Sequence, residues 1–433
     1  MKFIKFAILI SVISFCNIAH ADQSIAIRQP ELIPSDKILT LSDCINLALK
    51  NQPSVRQAAA QVDLQSGQVM QARSGMLPGV SVTSSRNLDG SVRSGGTDIT
   101  VSGSQLIYDF GRSQSQLTQT ERRLAASLES LRGTQANVVL NVKQTYYASL
   151  RANHLVDVFN ENLKAQDEHV ASARERMEAK QAPQADVLKA QAAAASARVD
   201  LVTAQNNANQ TRVDLNMAMG VYISSPIQIA EVAEAETPVL QEDQLLKLAM
   251  ERRPEIRGSA EQVTAAEAAI KTSETGNLPA LTTSLSKSHS SEGEFGTSNS
   301  WAWRLSLGWS LYDSGSTAGA VKQSHAQLVS AHESLYSVKQ TVSREVVQAR
   351  LSVIAADEQL TASTAEVASA KENQAAAAGR YKAGVGIILE VLDAQTTLLK
   401  AQVDELAARY GLSIARAELE HAIGEKVNDG GNN

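Results

Sequence analysis

Residues 301–312 read Trp-Ala-Trp-Arg-Leu-Ser-Leu-Gly-Trp-Ser-Leu-Tyr, and their pattern decides the fold class. The odd-numbered positions are all large and apolar: Trp301, Trp303, Leu305, Leu307, Trp309 and Leu311. The even-numbered positions are mostly small or polar, with one Arg among them. Successive side chains of a β-strand point to opposite faces, so this stretch predicts a strand with one apolar face and one polar face.

The first 21 residues have the features of a secretory signal peptide. Lys2 and Lys5 form a positive segment, residues 6–15 are mostly apolar, and Ala19-His20-Ala21 matches the small-x-small cleavage pattern. The apolar run is too short to span a membrane, and no later segment has 18 consecutive apolar residues. We therefore predict an exported chain without a transmembrane helix, whose mature form begins at Asp22.

Two interpretations of residues 301–312 compete. A strand that faces a soluble core would show the same alternation, but no other element offers a large apolar surface for the three Trp residues. Export, Trp near the strand ends, a polar second face and a length of about ten residues are together typical of an outer-membrane barrel strand. We therefore expect the apolar face to meet lipid. A second predicted strand, with Ile99, Val101 and Ile107 on its apolar face, is weaker because Gly103 and Gln105 interrupt that face. The partner strands pass through Val80 and Val82, and through Leu281, Thr283 and Leu285.

The composition argues against a thick globular core and against binding to nucleic acid. Hydrophobic residues make up 43% of the 433 residues, but only 4% are aromatic, and Ala supplies much of the apolar fraction. Ala favours helices and allows them to approach closely. The net charge of −6 lacks the basic face that a nucleic-acid-binding protein needs.

The chain contains an internal repeat. Residues 48–56 return as 249–257, and Leu77-Pro78 returns as Leu278-Pro279, both at an offset of 201. Three later landmarks return at an offset of 204: Tyr108-Asp109-Phe110-Gly111 as Tyr312-Asp313-Ser314-Gly315, Asp186-Val187-Leu188-Lys189-Ala190-Gln191 as Glu390-Val391-Leu392-Asp393-Ala394-Gln395, and Gly220 as Gly424. The change of offset places a three-residue insertion in a predicted hairpin.

Each repeat reads as a helix, a β-hairpin, a long helix and a shorter helix. Residues 113–179 are nearly unbroken helical sequence, about 100 Å long, which favours a coiled coil over a compact bundle. Leu392, Leu399 and Leu406 recur every seven residues, as in a coiled-coil seam. The predicted boundaries are a signal peptide 1–21, an N-terminal periplasmic segment 22–40, a first repeat with helix 41–76, hairpin 77–108 and helices 109–220, an equatorial linker 221–240, a second repeat with helix 241–277, hairpin 278–312 and helices 313–424, and a tail 425–433.

Two hairpins supply four strands, and four strands cannot close into a barrel. Open sheet edges are not tolerated in lipid, so the chain must oligomerise. Two copies would give eight strands, whose interior is filled by side chains, whereas three copies would give twelve, which leave room for a pore. A trimer is therefore the smallest assembly that makes a channel.

The repeat, the Leu-Pro strand starts, the Tyr-Asp-Phe-Gly strand exit and the Glu-Val-Leu-Asp-Ala-Gln helix start together resemble the TolC family of outer-membrane export channels. The resemblance covers nearly the whole mature chain. It implies a homotrimer with a twelve-stranded outer-membrane β-barrel, continued by a long α-helical barrel across the periplasm. It also implies a periplasmic adaptor and an inner-membrane pump of the RND or ABC type as partners, with small molecules or unfolded protein as cargo.

Glu390 and Asp393 lie three residues apart, on one face of the predicted last helix. On the residues alone they could merely complement the helix dipole. The resemblance implies instead that they line the periplasmic constriction, where rings of acids select cations. It further implies that Tyr381 and Asp186 help to hold the closed tip.

Two features depart from the family pattern. Gly386 stands where the resemblance suggests an arginine that locks the closed state, and Lys189 or Lys382 could take over that role. The first helix tip, Ala179-Lys180-Gln181, lacks the turn that the family uses to dock its adaptor, and the second tip keeps only Ala383-Gly384-Val385. We therefore expect these two turns to dock a specialised adaptor.

The sequence predicts neither an enzyme, nor a cofactor, nor a metal site. The seven His are scattered, and the predicted cleavage leaves Cys44 as the single thiol, so no zinc ligand set or intrachain disulfide is expected. Two alternatives to an export duct remain at this point: a periplasmic adaptor with a coiled-coil hairpin, and a purely structural coiled-coil protein of the envelope.

Overall fold

The computed structural model describes residues 38–86, 97–232, 241–292 and 296–424. The predicted signal peptide, the C-terminal tail, residues 233–240 of the linker and the two hairpin tips at 87–96 and 293–295 lie outside the described residues. None of the helices in the described part of the chain combines the length and the hydropathy that crossing a membrane requires.

The described elements follow one another in two matching series. The first comprises β1 (Ile38–Leu39), α1 (Leu41–Asn51), α2 (Pro53–Ser74), β2 (Gly79–Arg86), β3 (Thr97–Tyr108), α3 (Arg112–Glu178) and α4 (Gln184–Met219). The second comprises β4 (Gln228–Ile229), α5 (Glu242–Arg252), α6 (Pro254–Glu274), β5 (Ala280–Glu292), β6 (Gly296–Gly308), α7 (Ser316–Lys382) and α8 (Ile388–Ala422). This arrangement confirms the mainly helical fold and the internal repeat.

The prediction of one continuous helix over 41–76, and of another over 241–277, is wrong. The structure divides each of them at a proline, Pro53 or Pro254, which begins a second helix. Proline disfavours helical backbone at the preceding residue. Gln52 and Arg253 accordingly have extended backbone, with ψ of 126° and 123°.

The prediction that the last strand continues to Leu311 is also wrong, because β6 ends at Gly308. Its neighbour β5 begins at Ala280, which pairs with Gly308. The residue before Ala280 is Pro279, which has no N–H to extend the ladder. Trp309 and Leu311 therefore lie beyond the strand.

The four long strands form one antiparallel sheet in the order β2-β3-β5-β6. Both edges of this sheet, β2 and β6, lack a partner strand among the described residues. The helices lie side by side in an order that matches the strands. In the half next to the sheet the neighbours are α2-α3-α6-α7, and in the distal half they are α4-α3-α8-α7.

A hydrophobic core at mid-height joins the ends of the short helices to α3. It surrounds the fully buried Tyr146, whose hydroxyl donates to the Ala230 carbonyl at 2.7 Å. The parallel pair β1 and β4 lies beside it. At the same height Gly220 fits against the break between Asn51 and Gln52, where a Cβ atom would come within 3.0 Å of the backbone. The core therefore fixes the break of α1 and α2 against the end of α4.

Candidate functional site

The second helix tip is a glycine-terminated turn between α7 and α8. Gly384 has a φ of +76°, in the left-handed region that glycine adopts without strain. Its N–H donates to the Tyr381 carbonyl at 3.1 Å, and the Val385 N–H donates to the Arg380 carbonyl at 3.1 Å. This pair of hydrogen bonds defines a Schellman motif, which satisfies the last carbonyls of the helix.

The first helix tip, between α3 and α4, has the same backbone geometry without a glycine. Lys180 occupies the left-handed position with a φ of +59°. Its N–H donates to the Met177 carbonyl at 3.0 Å, and the Gln181 N–H donates to the Arg176 carbonyl at 2.8 Å. The two turns are thus alike in backbone, and the six predicted docking residues are all exposed: Ala179, Lys180, Gln181, Ala383, Gly384 and Val385.

Tyr381 lies at the junction of the two tips, and only 5% of its surface is exposed. The guanidinium of Arg176 lies 4.3 Å from the centre of its ring, close enough for a cation–π contact. Arg176 also donates from Nη2 to the Lys382 carbonyl at 2.8 Å. Arg176 therefore ties the end of α3 to the end of α7, a link that inspection of the sequence did not reveal.

Burial raises the pKa of Tyr381, while the charge of Arg176 opposes the rise and that of Asp186 adds to it. The predicted gate residues Tyr381 and Asp186 thus share one electrostatic environment. Within the described chain, the buried Tyr381 hydroxyl has no hydrogen-bond partner.

Glu390 and Asp393 both lie exposed near the start of α8. Among the described residues, the partner of Glu390 is Arg380, with Nη2 of the arginine 3.3 Å from Oε2 of the glutamate. Neither Lys189 nor Lys382 pairs with it in this part of the chain. Arg380 was missed because its partner lies ten residues on, beyond a turn that brings them together.

The geometry around Gly386 accounts for the absence of a side chain there. A Cβ atom at this position would lie 3.1 Å from both the Arg380 Cβ and the Tyr381 nitrogen. The Gly386 N–H also donates to the Arg380 carbonyl at 3.1 Å. Gly386 therefore allows the chain to return close to the end of α7, which positions Arg380 beside Glu390.

A row of polar side chains is buried between the helices above the tips. Gln395 donates from Nε2 to Oδ1 of Asn162 at 3.0 Å, and both side chains are buried. One and two turns further along α3 lie the buried Gln166 and the half-buried His169. Burial lowers the pKa of His169, and the nearby Lys382 lowers it further against the opposing effect of Glu168. Of this row, only Gln395 belongs to a motif that the sequence singled out.

At the other end of the molecule, the strand register collects apolar side chains from all four strands on one face. Paired rows place Val82 beside Val101, Leu285 beside Trp303 and Leu281 beside Leu307. The other members of this face are Val80, Ile99, Trp301 and Leu305. Tyr108, the last residue of β3, is also exposed, as are four residues beyond the strands on the side of the helices: Phe110, Trp309, Leu311 and Tyr312.

The polar face of the sheet is built mainly from Ser and Thr. Its rows include Ser81 beside Ser102, whose hydroxyl oxygens lie 2.9 Å apart, and Thr100 beside Ser288, at 3.0 Å. No group of three or more His, Cys, Asp or Glu residues placed to hold a metal ion occurs in the described part of the chain.

Comparison with known proteins covers both repeats of the chain. The model of the outer membrane efflux protein family matches residues 44–221 and again residues 245–425. The outer membrane efflux protein BepC of Brucella suis is 24% identical over 90% of this chain and 86% of its own length. Protein CyaE of Bordetella pertussis is 24% identical over 92% of this chain and 87% of its own.

A solved membrane protein from Pseudomonas aeruginosa has the same fold. It superposes with a TM-score of 0.78 and 21% identity, over 89% of this chain and 93% of its own.

Proposed function

The chain belongs to the outer membrane efflux protein family, and on that premise we propose that three copies assemble into one channel. Its function is that of an outer-membrane exit duct, and it is a conduit and not an enzyme. The family match does not support the two alternatives, a periplasmic adaptor and a structural coiled-coil protein.

The observation that carries the trimer is a sheet with one apolar face, whose two edges lack a partner strand among the described residues. Backbone groups at an open edge cannot be left unsatisfied in lipid. Pairing β6 of one copy with β2 of the next closes three sheets into twelve strands, with the Ser- and Thr-rich face turned inward. The helices support the same closure, because α7 lies at the β6 edge and α2 and α4 lie at the β2 edge.

The helices would continue the barrel as a tunnel through the periplasm. In that tunnel, Glu390 and Asp393 form rings of acids at the far end, and Tyr381 and Asp186 hold the tip closed. A positive side chain, Arg380, accompanies each Glu390 and moderates the charge of the ring.

The exposed turns at 179–181 and 383–385 are the proposed docking points for a periplasmic adaptor, which joins the channel to an inner-membrane pump of the RND or ABC type. The name of one relative, BepC, refers to efflux. The proposed cargo is a small molecule or an unfolded protein that leaves the cell through the tunnel.

The assembly is tested by extracting the protein from outer membranes and comparing its electrophoretic mobility with and without heating. A channel of this design requires detergent for extraction and migrates as a trimer until it is heated. A monomer that is extracted by salt alone would contradict the proposal.

A further inference from the structure

The apolar face of the sheet ends in positive charge. On β2, the side chains of Val80, Val82 and Ser84 lie on this face, and the next one towards the end of the strand is Arg86. On β5, the residues on the same face after Leu285 are Lys287 and His289. Lys287 pairs with Trp301, so a lysine stands directly beside an aromatic side chain.

These residues lie at the end of the sheet that is farthest from the helices. The chain enters β2 from α2 and leaves β6 towards α7, whereas Arg86 is the last residue of β2 and His289 lies near the end of β5. Because the helices extend into the periplasm in the proposed channel, the charged end of the face lies at the outer leaflet.

Among the described residues, this end of the apolar face has no acid. The pairing rows contain Thr97 and Ser291 beside Arg86, and Ile99 and Asn299 beside His289. The Nδ1 atom of His289 lies 2.9 Å from Oδ1 of Asn299. Neither Arg86 nor Lys287 forms an ion pair with a carboxylate in the described chain. Asp98, which lies near this end of the sheet, belongs to the opposite face.

A cation in this position can bind an anion that comes from outside the protein. Lys287 lies level with Trp301, at the boundary between the apolar face and water, where long basic side chains extend their charge towards the headgroups. Arg86 lies four residues further out and two strands away, within about 20 Å. Phosphate is the anion that suits both, since arginine binds it through a planar fork and lysine as a point charge.

We propose that Arg86 and Lys287 form a binding site for the phosphorylated headgroup of lipopolysaccharide in the outer leaflet, with His289 between them. This inference rests on the proposed function, because it requires the apolar face to meet the outer membrane. Lipopolysaccharide is the phosphorylated lipid of the leaflet that this end of the sheet faces. The site adds a specific lipid contact to a face that otherwise offers only apolar surface.

The test uses the full-length trimer in nanodiscs of phosphatidylcholine, titrated with lipid A, with bound lipid counted by native mass spectrometry. Parallel titrations use lipid A without its phosphates, phosphatidylglycerol and inorganic phosphate. Arg86→Gln combined with Lys287→Gln should weaken lipid A binding by about tenfold or more, since each basic residue near an anionic surface contributes substantially. Arg304→Gln is the matched control, because Arg304 lies on the opposite face of the same sheet.

The site is supported if the wild-type channel binds lipid A more tightly than lipid A without its phosphates. Arg304→Gln should leave lipid A binding unchanged. It is overturned if phosphate-free lipid A binds equally well to the wild-type channel, a result that needs no variant. It is also overturned if the Arg304 control loses as much binding as the double variant, or if phosphatidylglycerol binds as tightly as lipid A. A wild-type chain that does not insert as a trimer refutes the proposed function as well.

Discussion

The guanidinium of Arg380 lies 3.3 Å from the carboxylate of Glu390, across the turn that joins the two last helices. Both side chains are about half exposed, at 55% and 47%, so the pair contributes little to stability. Its proposed effect on the tunnel is electrostatic, because each arginine would offset one carboxylate of the proposed ring.

We predict that Arg380→Gln strengthens block of the channel by trivalent cations, about two- to fivefold in the apparent blocking constant. Removal of the arginine leaves Glu390 uncompensated and makes the ring more negative. The measurement is single-channel current in planar bilayers with added cation. Lys382→Gln is the control, because it removes the same charge nearby without removing the partner of Glu390. Unchanged block by Arg380→Gln would show that the pair lies away from the conduction path.

The double substitution Glu390→Gln with Asp393→Asn should act in the opposite direction. It removes the charge and keeps the shape, so block by multivalent cations should weaken and cation selectivity should fall. Folding should be nearly unchanged, because solvated acids at a helix start contribute only about 0.3–1 kcal/mol. Equal block in the parent and the double mutant would mean that these acids lie outside the pore and only complement the helix dipole.

Leu305→Arg and Ser306→Arg test the two faces of the last strand. The first places a charge on the apolar face and should cost about 2–4 kcal/mol of trimer stability if the residue lies near the bilayer midplane. The second places the same charge on the Ser- and Thr-rich face, where it remains hydrated. Trimer yield and the temperature of trimer dissociation are the readouts. If assembly tolerates both changes equally, the assignment of the lipid face is wrong.

Lys180→Gly should make the first helix tip more rigid. Lys180 holds a left-handed backbone that glycine adopts at lower cost, and the strain removed is about 1 kcal/mol. Hydrogen exchange of the amides around residues 176–181 should therefore slow. Gly384→Ala imposes the converse strain on the second tip, and exchange there should accelerate. Faster exchange in Lys180→Gly would mean that the lysine side chain stabilises the turn.

The internal repeat predicts contacts between neighbouring copies. Asn162 on α3 and Gln395 on α8 are hydrogen bonded within one chain, and their repeat counterparts are Glu366 on α7 and Gln191 on α4. In the proposed ring, α7 of one copy lies beside α4 of the next. A glutamine and a glutamate can form the equivalent hydrogen bond.

Gln191→Cys combined with Glu366→Cys should therefore cross-link neighbouring copies with a short bismaleimide, giving dimers and trimers on a denaturing gel. The native Cys44 can stay in place, because it is fully buried and burial raises the pKa of its thiol to about 12. Thr364→Cys in place of Glu366→Cys should give no ladder, since residue 364 points to another side of α7. Equal amounts of cross-linked dimer and trimer from the two cysteine pairs would rule out the predicted register of α4 against α7.

The sequence predicted the long elements well, and the reasons are local. Residues 113–179 contain no proline and a single glycine, Gly133, and the observed α3 is shifted by one residue, to Arg112–Glu178. The alternation in residues 301–308 defined both faces of β6. The breaks before Pro53 and Pro254 were overlooked because the residues on either side of each proline remain helical.

The contacts at the tips could not be predicted from local pattern. Arg176 stacks on Tyr381, which is more than 200 residues away in the sequence, and Asn162 pairs with Gln395 over a similar separation. Such pairs depend on which helices become neighbours. Only the assembled fold determines that.

The two turns at the helix tips share one backbone geometry but not one surface. Lys180 and Gln181 are polar, whereas Gly384 and Val385 offer no charge, and Val385 is 77% exposed. In a ring of three chains, six tips would alternate between these two kinds. The opening would then have threefold symmetry in its chemistry and near-sixfold symmetry in its shape. A cap of six identical subunits would fit by shape but meet two alternating environments, whereas a cap of three could select one kind of tip and leave the other free.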